Sequence, residues 1–224
     1  MEIELTPRVC ELYDEIQKTI TGRFPMWPQD AAALYEYSKG AEKYLEIGTA
    51  FGGSAILAAY AQIDNGSNLP AVYCIDPLDG FYGKGRPDIL ALGLVPSPDM
   101  VRDNFTKMRL IDGLAPALIL KKTPPVPAEL AGEKFDFILI DGNHTGTGPI
   151  DDWKCIQEYV APNGFVMFHD LHKEAVNYAW GMANKDKRYK VIREYRNNGH
   201  GAITQLKIEG NEAFGSHGIV QRID

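Results

Sequence analysis

Six short apolar runs alternate along this chain with longer segments of helical periodicity, and that alternation restricts the fold more than any other feature. The runs are KYLEIG (43–48), AVYCID (71–76), ALILKK (117–122), FDFILID (135–141), GFVMFHD (164–170) and YKVIREY (189–195). Between them lie GGSAILAAYAQI, DMVRDNFTKMRLI and IDDWKCIQEYV, whose apolar residues recur at helical spacing. Strands that take turns with helices pair in parallel, and a sheet covered on both faces needs strands that are apolar at nearly every position. An α/β fold with a mostly parallel sheet is therefore expected. The alternating run AITQLKI (202–208) is expected to close the sheet as an antiparallel edge strand, and ELTPRVCELYDEIQKTI and QDAAALYEYSKG read as two helices ahead of the first strand. No repeat, low-complexity tract or linker marks a second domain. The reading is one domain over 1–224, with a helical cover (1–42), a core (43–209) and a tail (210–224).

Composition narrows the partners. With 224 residues and 45% hydrophobic content the chain can bury one substantial core. A net charge of -7, with Lys and Arg scattered, offers no footprint for a phosphate backbone, so no nucleic acid is expected. No apolar stretch is long enough to span a bilayer, and MEIELTPRVC lacks a basic head, so the expectation is a soluble, cytoplasmic protein with no membrane partner. Cys10, Cys74 and Cys155 lack metal or redox spacing and read as reduced structural thiols. Assembly into a homo-oligomer stays open.

In an open sheet of this kind ligands bind at the carboxyl ends of the strands. The first run ends in YLEIGTAFGGS, where Gly48, Gly52 and Gly53 permit a tight turn leading into a helix N-terminus. A dinucleotide fingerprint starting at Gly48 would need glycine at position 50, where Ala50 stands, and Glu46 just before the turn would repel a pyrophosphate. A carboxylate there suits an ammonium group, which favours S-adenosylmethionine (SAM). Asp76, ending the second run, is placed to accept both ribose hydroxyls of an adenosine; a plain Asp-Pro turn is the competing reading.

The ordered set YLEIGTAFGGS, YCIDP, FDFILIDGNH and APNGFVMFHD resembles the class I SAM-dependent methyltransferases, and within them the macrocin and rhamnosyl O-methyltransferases and their cephalosporin-hydroxylase-like relatives. The resemblance runs from about residue 30 to residue 195. It implies a Rossmann-like seven-stranded sheet with the last strand antiparallel. Glu46, Gly48, Thr49, Gly52 and Ser54 would line the methionine and ribose side of the cofactor, Asp76 would hold the ribose, Asp141 would border the site, and LKKTPPV would lie near the adenine through Lys122 or Thr123. The family often carries a Gly-Asp-Ser-like turn at that last place, and this chain does not.

Asp141 ends the fourth run and Asp170 the fifth, so neighbouring strands deliver two carboxylates to one rim, where something positive must separate them. Oxygen ligands of this type suit Mg2+ or another divalent metal. Related metal-dependent enzymes have an acidic pair after strand five; here the pair is His169 and Asp170, so the expected ligand set is Asp141, Asp170 and His169, with a hydrogen-bonded inward histidine as the competing reading of His169. His144 is the candidate base, with Asp141 beside it; a loop histidine capping the helix near Pro149 is the alternative. The long stretch 77–98, carrying Phe81, Tyr82 and Arg86, is expected to be a lid, Met26 and Trp27 to lie in the core or at the cofactor mouth, and His200 in a turn. The expected function is SAM-dependent O-methylation of a hydroxylated small molecule, a sugar or a natural-product scaffold, with metal assistance. A cephalosporin-hydroxylase-like or N-methylating relative, and a non-catalytic SAM-binding protein, are the alternatives.

Overall fold

The computed structural model describes residues 3–79, 93–196 and 216–224. Two helices open the chain. In α1 (Pro7–Thr19) the Thr6 hydroxyl accepts the Val9 N–H and Pro7 stands in the first turn, while Val9, Leu12 and Ile16 turn inward at helical spacing. α2 (Pro28–Lys39) also starts on a proline and buries the whole stretch from Asp30 to Tyr35. The strands and helices then alternate as the apolar runs require: β1 (Lys43–Ile47), α3 (Gly53–Asp64), β2 (Ala71–Ile75), α4 (Pro98–Lys107), β3 (Ala117–Ile119), β4 (Phe135–Ile140), α5 (Gly148–Ile156), β5 (Val160–His169), α6 (Glu174–Lys185), β6 (Tyr189–Arg196) and β7 (Ser216–Arg222).

These strands form one seven-stranded sheet in the order β3-β2-β1-β4-β5-β7-β6. Strands β1 to β5 pair in parallel, whereas β7 runs antiparallel to both β5 and β6. The Rossmann-like sheet with an antiparallel last strand is thus what the chain forms. One assignment changes. The antiparallel strand is Ser216–Arg222, inside the stretch expected as a tail, and it is an interior strand; the edge beside it is β6. The run at 202–208 lies outside the described residues. So do Phe81, Tyr82, Arg86 and His200.

Alternating side chains divide the core between the two faces of the sheet. Tyr44, Cys74, Phe137, Leu139, Met167 and Ile219 pack with α1, α2 and α3, while Leu45, Ile47, Ile138, Ile140, Phe168 and Val220 pack with Trp153 of α5 and Trp180 of α6. By the same alternation Glu46, Asp141, His169 and His217 belong to the first face, under α2 and α3. Burying a Phe or Leu side chain stabilises by roughly 2 kcal/mol, but one unpaired carboxylate taken out of water costs more than that. The polar residues on this face must therefore be read by their partners. Met26 is buried and Trp27 half-buried, both as parts of the cover. All three cysteines are free, and no helix among the described residues is long and apolar enough to cross a membrane.

Candidate active site

The carboxyl ends of β1, β2 and β4 are sewn into one rim. Gly48 N–H donates to the Ile75 carbonyl at 2.9 Å, Asp141 N–H to the Ile47 carbonyl at 2.9 Å, and Asp76 N–H to the Ile119 carbonyl at 3.1 Å. Between β1 and α3 the chain makes a tight turn in which the Gly52 N–H donates to the Thr49 carbonyl and Gly48, Ala50 and Gly52 all have positive φ. The glycines serve packing. A Cβ on Gly48 would lie 2.2 Å from the Asp141 carbonyl oxygen, one on Gly52 2.9 Å from the Phe105 ring, and one on Gly53 2.5 Å from the Phe24 ring. Their small size lets β4, α4 and the N-terminal cover close around the turn. Asn104 of α4 completes that closure: it is fully buried, donates to the Thr21 and Phe51 carbonyls and accepts the Thr21 N–H.

Asp76 fastens the same turn. One of its oxygens accepts the Thr49 and Ala50 N–H groups at 2.9 and 3.0 Å, and the other accepts the Leu78 N–H at 2.8 Å. The carboxylate expected to meet a ribose here anchors the turn after β1. Asp76→Ala should unfasten the turn, lowering stability by about 3 kcal/mol in urea unfolding, with Asp76→Asn intermediate because it keeps one acceptor oxygen. An Ala variant as stable as the wild type would show that these bonds contribute nothing.

Glu46 has no exposed surface. The Tyr44 hydroxyl donates to its Oε2 at 3.1 Å, whereas Oε1 and the neighbouring Thr49 Oγ1 have no hydrogen-bond partner among the described residues. Burial pushes its carboxyl up to about 7, against the polar contacts of Ser54, Thr49, Tyr44 and Cys74. Ser54, at the start of α3, is buried beside it. The two residues expected near an adenine have protein partners: Thr123 Oγ1 donates to Asp152 Oδ1 at 2.5 Å and Lys122 pairs with Asp79 at 2.8 Å. Asp152, a buried acid of α5 whose carboxyl burial raises to about 6, was not singled out from the sequence.

The acids after β4 and β5 meet through histidines. His144 is wedged between them, with Nε2 3.0 Å from Asp141 Oδ1 and Nδ1 3.3 Å from Asp170 Oδ2. It does not cap α5, whose first residue is preceded by Thr147 with no side-chain cap. Burial alone would lower the imidazole's pKa, but hydrogen bonds with Asp141 and Asp170 raise it to about 9. His169 is turned inward, with Nδ1 3.0 Å from Asp141 and Nε2 3.4 Å from Asp30 of α2, and its burial is outweighed by Asp141 and Asp170, which hold it well above the usual histidine range. Both acids sit below the usual carboxylate range despite their burial, Asp141 through His169 and His144, Asp170 through the same two rings. Asp170 also has positive φ, the bend by which the chain leaves β5.

Among the described residues, one ligand atom each of Asp141, His144 and Asp170 lie within 4.8 Å of one another. His169, expected in that set, turns Nδ1 to Asp141 at 3.0 Å and Asp170 at 3.6 Å and Nε2 to Asp30 at 3.4 Å, a buried ring among three carboxylates. No residue pattern marks Asp30 or His217, which lie 2.5 Å apart and extend this cluster beneath the sheet's first face. An acid beside an alanine run in the first turn of a helix looks like an ordinary helix start, and a histidine in a short strand carries no pattern at all.

A family model described as a methyltransferase domain matches residues 45–171, which takes in the turn after β1 and the acids after β4 and β5. The chain belongs to that family. This methyltransferase also has the fold of solved structures at low identity. One is a cofactor-bound protein from MTB, with a TM-score of 0.62, 13% identity, and coverage of 96% of this chain and 88% of that one. A second is the O-methyltransferase from Bacillus cereus in complex with SAH, with a TM-score of 0.55, 14% identity, and coverage of 97% and 89%. A third is TomG, an O-methyltransferase from Streptomyces achromogenes involved in tomaymycin synthesis, in complex with SAM, with a TM-score of 0.55, 10% identity, and coverage of 99% and 92%. No curated protein matches the methyltransferase described here.

Proposed function

We propose that this methyltransferase carries the methyl group of SAM to a hydroxyl oxygen of a small molecule, a sugar or a natural-product scaffold, with His144 taking the hydroxyl proton. The observation that carries the reading is the wedge of His144 between Asp141 and Asp170 at the rim beside the Gly48 turn. The residues fit the cofactor: among the described residues Glu46 Oε1 and Thr49 Oγ1 are buried without a hydrogen-bond partner at the end of β1, acceptors that an ammonium and its neighbours would satisfy. Bound there, SAM supplies an electrophilic methyl group on a positively charged sulfur. The chain's own residues then have three tasks. Asp76 holds the turn in shape and the two acids orient the imidazole; His144 must first give one ring proton to solvent and turn that nitrogen from its acid, and the freed nitrogen then accepts the proton of the substrate hydroxyl.

A second reading has its own observation. Two carboxylates and an imidazole within 4.8 Å are a donor set that fits a divalent cation, and Asp141, Asp170 and His144 would hold one in place of the imidazole's proton, where it would make the substrate hydroxyl more acidic. Activity that disappears in chelator and returns with Mg2+ or Mn2+ favours this reading; activity unchanged in chelator favours His144 alone. The substrate class is to be found by incubating the protein with SAM and hydroxylated acceptors and reading the methyl mass shift.

Glu46 offers a test of the cofactor itself. Free, its carboxyl titrates near 7; against an ammonium it must ionise, so SAM binding is expected to release protons around pH 6 to 7 and none above pH 9. Calorimetry in buffers of different ionisation heat measures this, and Glu46→Gln should abolish the release and weaken binding. Binding without any proton release at pH 6.5 would place the ammonium elsewhere.

A further inference from the structure

The carboxylate of Asp30 is buried without exposure in the first turn of α2, among alanines. Such a group persists only where its partners compensate it, so the partners indicate its purpose. They are two histidines that the sheet register sets side by side: His169 of β5 is directly opposite His217 of β7. Asp30 lies over the pair, with Oδ1 2.5 Å from His217 Nδ1 and Oδ2 3.4 Å from His169 Nε2.

The hydrogen bonds orient this network in one direction. Arg193 Nε donates to His217 Nε2 at 3.0 Å, and since a guanidinium only donates, that nitrogen must be the acceptor. The His217 proton is therefore on Nδ1 and is given to Asp30, while the Tyr195 ring stacks on the imidazole at 5.4 Å and holds its plane. With Oδ1 taken, Asp30 turns Oδ2 toward His169 Nε2 at 3.4 Å, an ion-pair contact and not a hydrogen bond, and neither atom has a hydrogen-bond partner among the described residues. The other nitrogen of His169 reaches Asp141 Oδ1, the same oxygen that His144 touches at 3.0 Å.

We propose that Asp30 is a positioning residue of the methyl-transfer site: seated by His217 and acting through His169, it fixes the orientation in which the Asp141 carboxylate meets His144. The inference rests on the reading of Asp141 and His144 given above. It makes the N-terminal cover part of the active site's machinery, since Asp30 is its only contribution to this network among the described residues.

Asp30→Asn tests it. The amide keeps the size but has one acceptor and one donor, so it can accept from only one of the two histidines, and a His169 facing its NH2 must present a bare Nε2. Turnover should fall about tenfold to a hundredfold, the range typical of groups that orient a reacting shell, with SAM affinity and acceptor KM within about twofold of wild type. His217→Asn, which retains an N–H near the Nδ1 position, should stay within about threefold of wild-type turnover, whereas His217→Leu should fall like Asp30→Asn. Imidazole proton signals read by NMR supply a measure that needs no substrate. The His169 ring N–H should shift or vanish in Asp30→Asn and His217→Leu and persist in His217→Asn, so Asp30's role is decided even if the methyl-transfer reading fails. A folded Asp30→Asn with wild-type turnover, or with the His169 signal unmoved, would overturn the proposal. If Asp30→Asn does not fold, equal turnover and equal ring signals in the two His217 variants would overturn it.

Discussion

His144→Gln is expected to lower turnover at neutral pH by about a hundredfold to ten-thousandfold, the contribution typical of a positioned base, while leaving SAM affinity near wild type. Glutamine matches the reach of imidazole and can still bond to one acid but cannot carry the proton away. The pH profile makes the prediction sharper. A base works only when deprotonated, and His144 in the free protein holds its proton up to about 9, so wild-type kcat/KM should rise roughly tenfold per pH unit from 6 toward 9 and then level. In the complex, the positive sulfur of the cofactor would oppose the imidazolium, so the limb in kcat should lie at lower pH than the limb in kcat/KM. The Gln variant should be flat across this range. Equal turnover of variant and wild type at pH 8 would remove His144 from the reaction.

Gly48→Ala should be the most disruptive small change in the fold. Its φ of +93° penalises any side chain, and the added methyl would lie 2.2 Å from the Asp141 carbonyl oxygen, a backbone atom that can move only by breaking the β1–β4 rim. A loss of about 3 kcal/mol or more is expected, lowering Tm by roughly 6–12 °C in a chain of this size. Gly66→Ala is the control. It has nearly the same φ, +94°, but nothing within 4 Å of the added methyl, so it should cost only about 1 kcal/mol. If the two variants melt together, the close approach at Gly48 is not a constraint on the fold.

Six strands were legible because strands buried on both sides are written as apolar runs, and the acids that end them were legible because nothing else puts Asp141 or Asp170 at the end of such a run. The seventh was not. Ser216–Arg222 has an apolar centre of Gly218, Ile219 and Val220 between polar ends, too short for a period to register, whereas 202–208 alternates cleanly. Chemistry was legible where the residue type and the strand end coincided, as at His144. It was hidden where a side chain's partners are set by tertiary register: the inward turn of His169, the commitment of Asp76 to backbone N–H groups, and the meeting of Asp30 with His217 across 187 positions of sequence. Hydrophobic periodicity assigns a residue to a face but not to a neighbour.

The place of β7 has a consequence for the order in which the protein is made. Strands β2 to β5 each find a partner among strands already synthesised, but β6 pairs only with β7, the last of the seven strands to be made. Until Arg222 has left the ribosome, β5 is an open edge carrying Phe168 and His169, and β6 has nothing to pair with; His217 is missing from the acid network over the same interval. An open edge of this kind is a template for pairing with another chain. Nascent chains of this methyltransferase are thus exposed to misassembly until β7 emerges, and the same seven residues that end that exposure also bring His217 into the network beneath the site.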